Sequence, residues 1–235
     1  MRGRVALVTG AAGGVGSTLV RELAGRGWRT AGLDLRRAPD ADHSVSVDVA
    51  EPAQVRAAVR RIERELGPIE AAVFAAGHHA IVPVSDIAWP DWRRMLRVHL
   101  GGVVNVCAAV GPGMAERGFG RLIHIASQQA FRASVTSGAY GVSKAGLVAL
   151  ARSQAEAWSP RGVTANALVP GFVMTPLNAR LSSDPAKVRA LAERTMTGRN
   201  GLADDFAGAA VFLASPSAAY VTGQSIFVDG GFSAH

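Results

Sequence analysis

Val5-Ala6-Leu7-Val8-Thr9-Gly10-Ala11-Ala12-Gly13-Gly14-Val15-Gly16 is the stretch on which the reading of this sequence turns. Four aliphatic residues closed by a threonine have the length and composition of a buried strand. The glycines that follow let the backbone turn sharply, and the stretch Gly14–Arg26 has the periodicity of a helix. A strand that turns through glycines into a helix gathers unpaired N–H groups and the positive end of a helix dipole at one point, which suits a pyrophosphate. Gly10, Gly14, Val15 and Gly16 are therefore candidate contacts to a dinucleotide.

Outward from that turn, apolar runs alternate with amphipathic ones. Strands are predicted over Val5–Thr9, Arg29–Asp34, Ser44–Asp48, Ala71–Ala75, Arg121–Ser127, Thr164–Val169 and Ile226–Asp229. Helices are predicted near Gly14–Arg26, Pro52–Leu66, Pro90–Arg117, Gly138–Trp158 and Ala203–Ala214. No repeat or linker interrupts the alternation. The pattern predicts an α/β fold: residues 1–235 as a single doubly wound domain, with a parallel seven-stranded sheet and helices on both faces. Residues 171–200 fall outside the rhythm and are expected to form a substrate lid. Within them Asp184-Pro185 reads as an N-cap and first helical proline, with Val188, Leu191 and Ala192 as a short apolar face.

Composition narrows the class. The chain is 49% hydrophobic and 18% charged, ordinary for a compact domain. It opens on a strand rather than a leader, and its apolar runs are short and broken by glycine, so a cytoplasmic protein with no membrane partner is expected. The single cysteine, Cys107, has no internal disulfide partner, as suits a reducing compartment. The net charge is +7, but the basic residues are scattered and interleave with no aromatic stripe, which argues against nucleic acid. The positive field instead favours an anionic cofactor or substrate. Six spread histidines show no ligand spacing, so no metal site is expected.

Asp34 closes the second predicted strand about 20 residues after the glycines, where a carboxylate can hold both ribose hydroxyls of NAD and repel the 2′-phosphate of NADP. Arg36 and Arg37 pull the other way, but they lie beyond Leu35, and NAD is the expected cofactor, with NADP the less favoured. Asp48, at the end of the third strand, is a candidate to meet the adenine, to cap the next helix, or both.

Tyr140 and Lys144 are four residues apart, so on a helix they share a face. A cation beside a phenol, together with a positive nicotinamide ring, would lower the phenol's pKa until it can exchange a proton with an alcohol. Only two of the 25 basic residues are lysines, Lys144 and Lys187, and a compact ammonium can also donate to the cofactor ribose. Ser127, ending the strand before this helix, emerges at the same rim and can steady charge on a substrate oxygen. Pro170-Gly171-Phe172-Val173-Met174-Thr175-Pro176 is placed to wall the nicotinamide side, with Pro170, Gly171, Val173 and Thr175 as contacts. Gln128, Gln129, Phe131, Phe172 and Met174 suggest a mixed, moderately apolar substrate site, and His78 and His79 stand at the rim as either substrate contacts or solvated loop residues.

Taken in order, Thr9-Gly10…Gly14-Val15-Gly16, Asp34, Asp48-Val49, Ala75-Ala76-Gly77, Ser127, Tyr140…Lys144, Pro170-Gly171, Thr175 and Val228-Asp229-Gly230-Gly231 resemble the classical short-chain dehydrogenase/reductase family over essentially the whole chain. The resemblance implies a Rossmann-type fold and pro-S hydride transfer between a nicotinamide cofactor and a secondary alcohol or ketone. It adds Val49, Ala76 and Gly77 as cofactor contacts, and implies a homotetramer paired through the two long helices. Two positions depart from the family. Phe74 stands where a polar asparagine ties neighbouring strands, so packing must replace that hydrogen bond. His99 stands where a catalytic asparagine helps hold a proton-relay water; it either keeps that role or merely packs.

Other readings remain open on the sequence. The chain also resembles NADPH-dependent 3-oxoacyl-carrier-protein reductases, which meet an acidic carrier through basic residues such as Arg132 and Arg180, and the NAD-dependent dihydrodiol (dihydroxybenzoate-type) dehydrogenases. A regulator that binds the nucleotide without catalysis is a further class, against which Ser127, Tyr140 and Lys144 speak.

Overall fold

The structure is a computed structural model that describes residues 3–79, 82–175, 178 and 182–234. Pro176 and Arg180 lie outside the described residues. In chain order the elements are β1 (Val5–Thr9), α1 (Gly14–Gly25), β2 (Arg29–Asp34), β3 (His43–Ser46), α2 (Pro52–Leu66), β4 (Ile69–Phe74) and α3 (Trp89–Leu96). A π-turn (Arg97–Gly101), α4 (Gly102–Glu116), β5 (Gly120–Ile125), α5 (Gly138–Trp158), β6 (Val163–Pro170), α6 (Pro185–Glu193), α7 (Ala203–Ala214) and β7 (Ser225–Val228) follow.

The strands form one sheet in the order β3-β2-β1-β4-β5-β6-β7, and every pair is parallel. The winding reverses between β1 and β4, so the C-terminal ends of these two strands diverge into a crevice. Side chains alternate across the sheet. Leu7, Phe74 and Leu122 face one apolar layer with Ile62, Val106 and Met114 from α2 and α4. Val8, Val73 and Ile123 face the other, with Leu19 and Leu23 of α1 and Phe206 and Leu213 of α7. Both faces are thus dry.

Some element ends differ from expectation. The helix predicted over Pro90–Arg117 arrives in three pieces, because one extra residue is accommodated in the π-turn at Arg97–Gly101. The span Trp89–Glu116 is long and apolar enough to cross a membrane, yet half of its most apolar window is buried in the fold. β5 stops at Ile125, short of the predicted Ser127, because Ser127 leaves the sheet to cap a short turn, its Oγ accepting from Gln129 N at 3.2 Å. β3 covers His43–Ser46 rather than Ser44–Asp48.

The helix expected at Asp184-Pro185 begins where predicted. Asp184 Oδ1 accepts from the amides of Ala186 and Lys187 at 3.1 and 3.2 Å, and Pro185 opens α6. Val188, Leu191 and Ala192 are among its half-buried positions. Gly201 N donates to Phe172 O at 2.9 Å and Met174 N donates to Gly201 O at 3.2 Å, so the chain returns at Gly201 to the residues that follow β6.

Candidate active site

A cleft of about 1090 Å³ opens at the C-terminal ends of β1, β4, β5 and β6. Its floor is the glycine turn. Gly10 has φ +67°, and a Cβ there would sit 2.7 Å from the Ala75 carbonyl oxygen; a Cβ on Gly16 would overlap the Gly10 carbonyl oxygen. The N-cap position of α1 is Gly13, which offers no side-chain cap, and Gly14, Val15 and Gly16 line the cleft. The first-turn amides therefore lack side-chain competition, and side-chain-free backbone lets a phosphate approach closely: the residues fit a dinucleotide.

Asp34 ends β2 at the next wall. Its Oδ2 accepts from Ala12 N at 3.1 Å and its Oδ1 from Arg36 N at 3.0 Å, which fixes the carboxylate against the glycine turn. Arg36 is largely exposed, with its guanidinium donating to Ala12 O at 3.3 Å. Asp48 lines the cleft, and its Oδ1 accepts from Ala50 N at 2.9 Å in the turn before α2; the N-cap position of that helix is Glu51, which makes no side-chain cap, so Asp48 braces the turn rather than capping the helix. The strand tie lost at Phe74 is replaced twice over. Phe74 is buried and stacks on His124 with ring centroids 4.9 Å apart, while Thr9 Oγ1 accepts from Ala76 N at 3.1 Å.

Opposite the glycines lie Ser127, Tyr140 and Lys144. The Ser127 hydroxyl lies near enough to the Tyr140 phenol to favour its ionised form. Lys144, one helical turn on, is 6% exposed; its Nζ donates to Ile125 O at 2.7 Å and lies 5.5 Å from the Tyr140 ring centroid. The acidified phenol expected from the sequence is not what the protein alone produces. Burial pushes Tyr140 above its ordinary value, with the Ser127 hydroxyl opposing, and burial brings Lys144 down to about 8. Desolvation outweighs the neighbouring charge here because both groups are buried together.

His99 is 2% exposed and sits on the π-turn. Its Nε2 meets both His78 N, at 3.0 Å, and His78 O, at 2.9 Å, while its Nδ1 is buried with no partner in the protein. An amide side chain can accept from an N–H with its oxygen and donate to a carbonyl with its nitrogen at once; one imidazole nitrogen must do one or the other. Burial, with Lys144 and His78 adding to it, takes His99 down to about 2, so the ring is neutral. Gly77 is required beside it: a Cβ there would lie 2.7 Å from His99 Cε1.

All the residues singled out as catalytic or cofactor-binding from the sequence line this one cleft: Gly10, Gly14, Val15, Gly16, Asp34, Asp48 and Val49 on one side, Ala76, Gly77 and His99 between, and Ser127, Tyr140, Lys144, Pro170, Gly171, Val173 and Thr175 on the other. His78 lines it too, whereas His79 packs on Tyr140. Among the described lining residues Gln128, Gln129, Phe131, Phe172 and Met174 do not appear; Phe131 instead packs on Phe227, ring centroids 4.9 Å apart. Missed from the sequence were Pro90, Arg93, Arg94 and Arg97, which form one cleft-facing stripe of the α3 helix and π-turn. Their i, i+3, i+4, i+7 spacing was a visible signal. Asn178 was also missed.

The family model described as Enoyl-(Acyl carrier protein) reductase matches residues 10–233. The chain belongs to the classical short-chain dehydrogenase/reductase family. It is similar to a D-threitol dehydrogenase of Mycolicibacterium smegmatis, 36% identical over 98% of this chain and 93% of that one. It is similar also to a gluconate 5-dehydrogenase of Gluconobacter oxydans, 32% identical over 99% of this chain and 96% of that one. A crystal structure of a gluconate 5-dehydrogenase from Burkholderia cenocepacia, in complex with NADP and tartrate, superposes with a TM-score of 0.95 at 38% identity, covering 100% of this chain and 97% of that one. This short-chain dehydrogenase is thus an oxidoreductase that uses a nicotinamide nucleotide and acts on a small molecule carrying a secondary alcohol or ketone.

Proposed function

We propose that the enzyme exchanges a hydride between NAD(H) and an open-chain, polyhydroxylated secondary alcohol or its ketone, with Tyr140 as general acid–base. The observation that carries the reading is the convergence of Ser127, Tyr140 and Lys144 on the cleft floored by the glycine turn. When bound, the nicotinamide ring accepts or returns the hydride. Ser127 holds the substrate oxygen and orients the phenol. Tyr140 takes the hydroxyl proton in oxidation and gives it back in reduction. Lys144 has N–H donors beyond the one used on Ile125 O; they hold the cofactor ribose and place a positive charge beside a forming phenolate. His99 meets a relay water through Nδ1, the atom the protein leaves without a partner. Gly10, Gly14, Val15, Gly16, Ala76 and Gly77 cradle the dinucleotide, Asp48 and Val49 meet the adenine, and Pro170, Gly171, Val173 and Thr175 wall the nicotinamide. The relatives' names, a threitol and a gluconate dehydrogenase, support the substrate class.

The preference for NAD rests on the Asp34 carboxylate, fixed at the end of β2. Two observations favour NADP instead: the Arg36 guanidinium stands exposed beside that carboxylate, and the Burkholderia relative was crystallised with NADP. Binding of NADH and NADPH compared by fluorescence decides between them. Turnover with a panel of C4 to C6 polyols and sugar acids, carrying deuterium at the carbinol carbon, tests the reaction: a primary isotope effect is expected, and no turnover on any secondary alcohol of the panel overturns the substrate class.

The same reading makes residues 171–200 a lid over the substrate, the enzyme cytoplasmic, and the assembly a homotetramer. Val104 on α4 and Val142 on α5 are both about half exposed, as helix faces that pair subunits would be in one chain alone. Light scattering behind size exclusion tests the tetramer.

A further inference from the structure

The Tyr140 ring is held on two sides by histidines. The His79 imidazole lies face to face with it, ring centroids 4.3 Å apart and planes 29° from parallel. The His99 ring meets it edge-on at 5.7 Å and 82°. His99 in turn grips the backbone of His78, the residue before His79, through Nε2. One contact chain therefore runs from the π-turn, through His99 and the His78 peptide, to the face of the phenol.

We propose that His79 is a positioning residue: its ring face fixes the Tyr140 phenol in the plane from which it exchanges a proton. This rests on the reading of Tyr140 as the general acid–base. Charge is not what His79 brings. It is more than half buried, and burial, Lys144 and His78 all lower its affinity for a proton, so it stacks as a neutral imidazole. Nor is it a wall of the substrate cavity, where His78 and not His79 appears. A flat neutral ring stacked on the phenol removes water from one face and restricts rotation about the side-chain bonds. Small displacements of a reacting group are costly, on the order of a hundredfold for 1 Å, so a clamp on the ring acts on kcat rather than on binding.

The test compares His79→Ala, His79→Gln and His79→Phe in the full-length enzyme. His79→Ala is expected to lower kcat roughly tenfold, the loss of one good aromatic stack, with NADH affinity and substrate KM little changed. His79→Gln, polar but without a ring, should match it. His79→Phe, a ring without nitrogen, should recover most of the rate. A second readout is spectroscopic. The chain has two tyrosines, Tyr140 and the fully exposed Tyr220, so ultraviolet pH titration resolves the buried phenol against an internal reference. In His79→Ala the Tyr140 titration should move toward the ordinary value as water reaches the ring. Wild-type kcat in His79→Ala, or recovery by Gln and not by Phe, overturns the clamp. If Tyr140→Phe is inactive while His79→Ala is fully active, only the clamp fails; if Tyr140→Phe turns over, the reading beneath it fails.

Discussion

Lowering the pH from 7 to 5 should destabilise this fold by about 4 kcal/mol through two buried histidines alone. His99 and His124 are 2% and 0% exposed, and burial takes them down to about 2 and about 4. His124 Nε2 is held by Gln154 Oε1 at 2.8 Å and its Nδ1 is buried without a partner, so the native state has no place for a second proton there. An unfolded histidine titrates near 6.5. Below that pH the unfolded chain takes up a proton at each site and the native chain does not, so stability is lost as pH falls. Each pH unit is worth about 1.4 kcal/mol per proton, which gives about 2 kcal/mol per histidine at pH 5. His78 and His79, also lowered by burial, act in the same direction. Carboxylates such as Asp205, held down near 2 by Arg199, lose their contribution only below this window. Urea unfolding at fixed protein concentration, at pH 5, 6 and 7, measures the slope. His124→Phe keeps a ring against Phe74 and should remove about half of the two-histidine loss, whatever it does to stability at pH 7. A wild-type stability flat between pH 7 and 5, or a slope unchanged by His124→Phe, refutes the reasoning.

Three further outcomes follow from the cleft. Asp34→Ala removes the acceptor for Ala12 N and Arg36 N along with the carboxylate. NADH affinity should fall on the order of tenfold and NADPH affinity should rise, measured by fluorescence titration. Gly77→Ala drives a methyl into the His99 ring and should cost about 2 kcal/mol by urea unfolding; in a His99→Asn background the cost should shrink, since the shorter side chain leaves room, and additive costs would show that the two residues do not press on each other. His99→Ala should lower kcat at least about tenfold while His99→Asn, able to satisfy both groups of His78, stays near wild type in steady-state assays.

Much of this was legible because the signals are local. α2, α5 and α7 run over the predicted residues, each bounded by a proline or glycine or by a change of periodicity. The site residues were legible because a parallel sheet delivers the C-terminal ends of its strands to one rim, so Gly10, Asp34, Ser127 and Pro170 meet without further information. What was missed depends on contacts between segments. The π-turn at Arg97–Gly101 leaves no mark in a periodicity window, yet it turns His99 toward His78. The stacking of His79 on Tyr140 joins residues 61 positions apart in sequence, and two adjacent histidines in a glycine-led loop do not announce which of them meets the phenol. The upward push on Tyr140 was missed because the effect of Lys144 was weighed without the cost of burying both.

The proposed chemistry runs through the phenol oxygen of one side chain. Tyr140→Phe removes that oxygen and little else, from a ring whose packing on His79 and His99 is kept. Turnover of the best polyol should drop by three orders of magnitude or more, on the scale of acid–base catalysis, while NADH binds as tightly as to the wild type. Turnover within tenfold of the wild type, with the cofactor still bound, would show that the proton travels by another group.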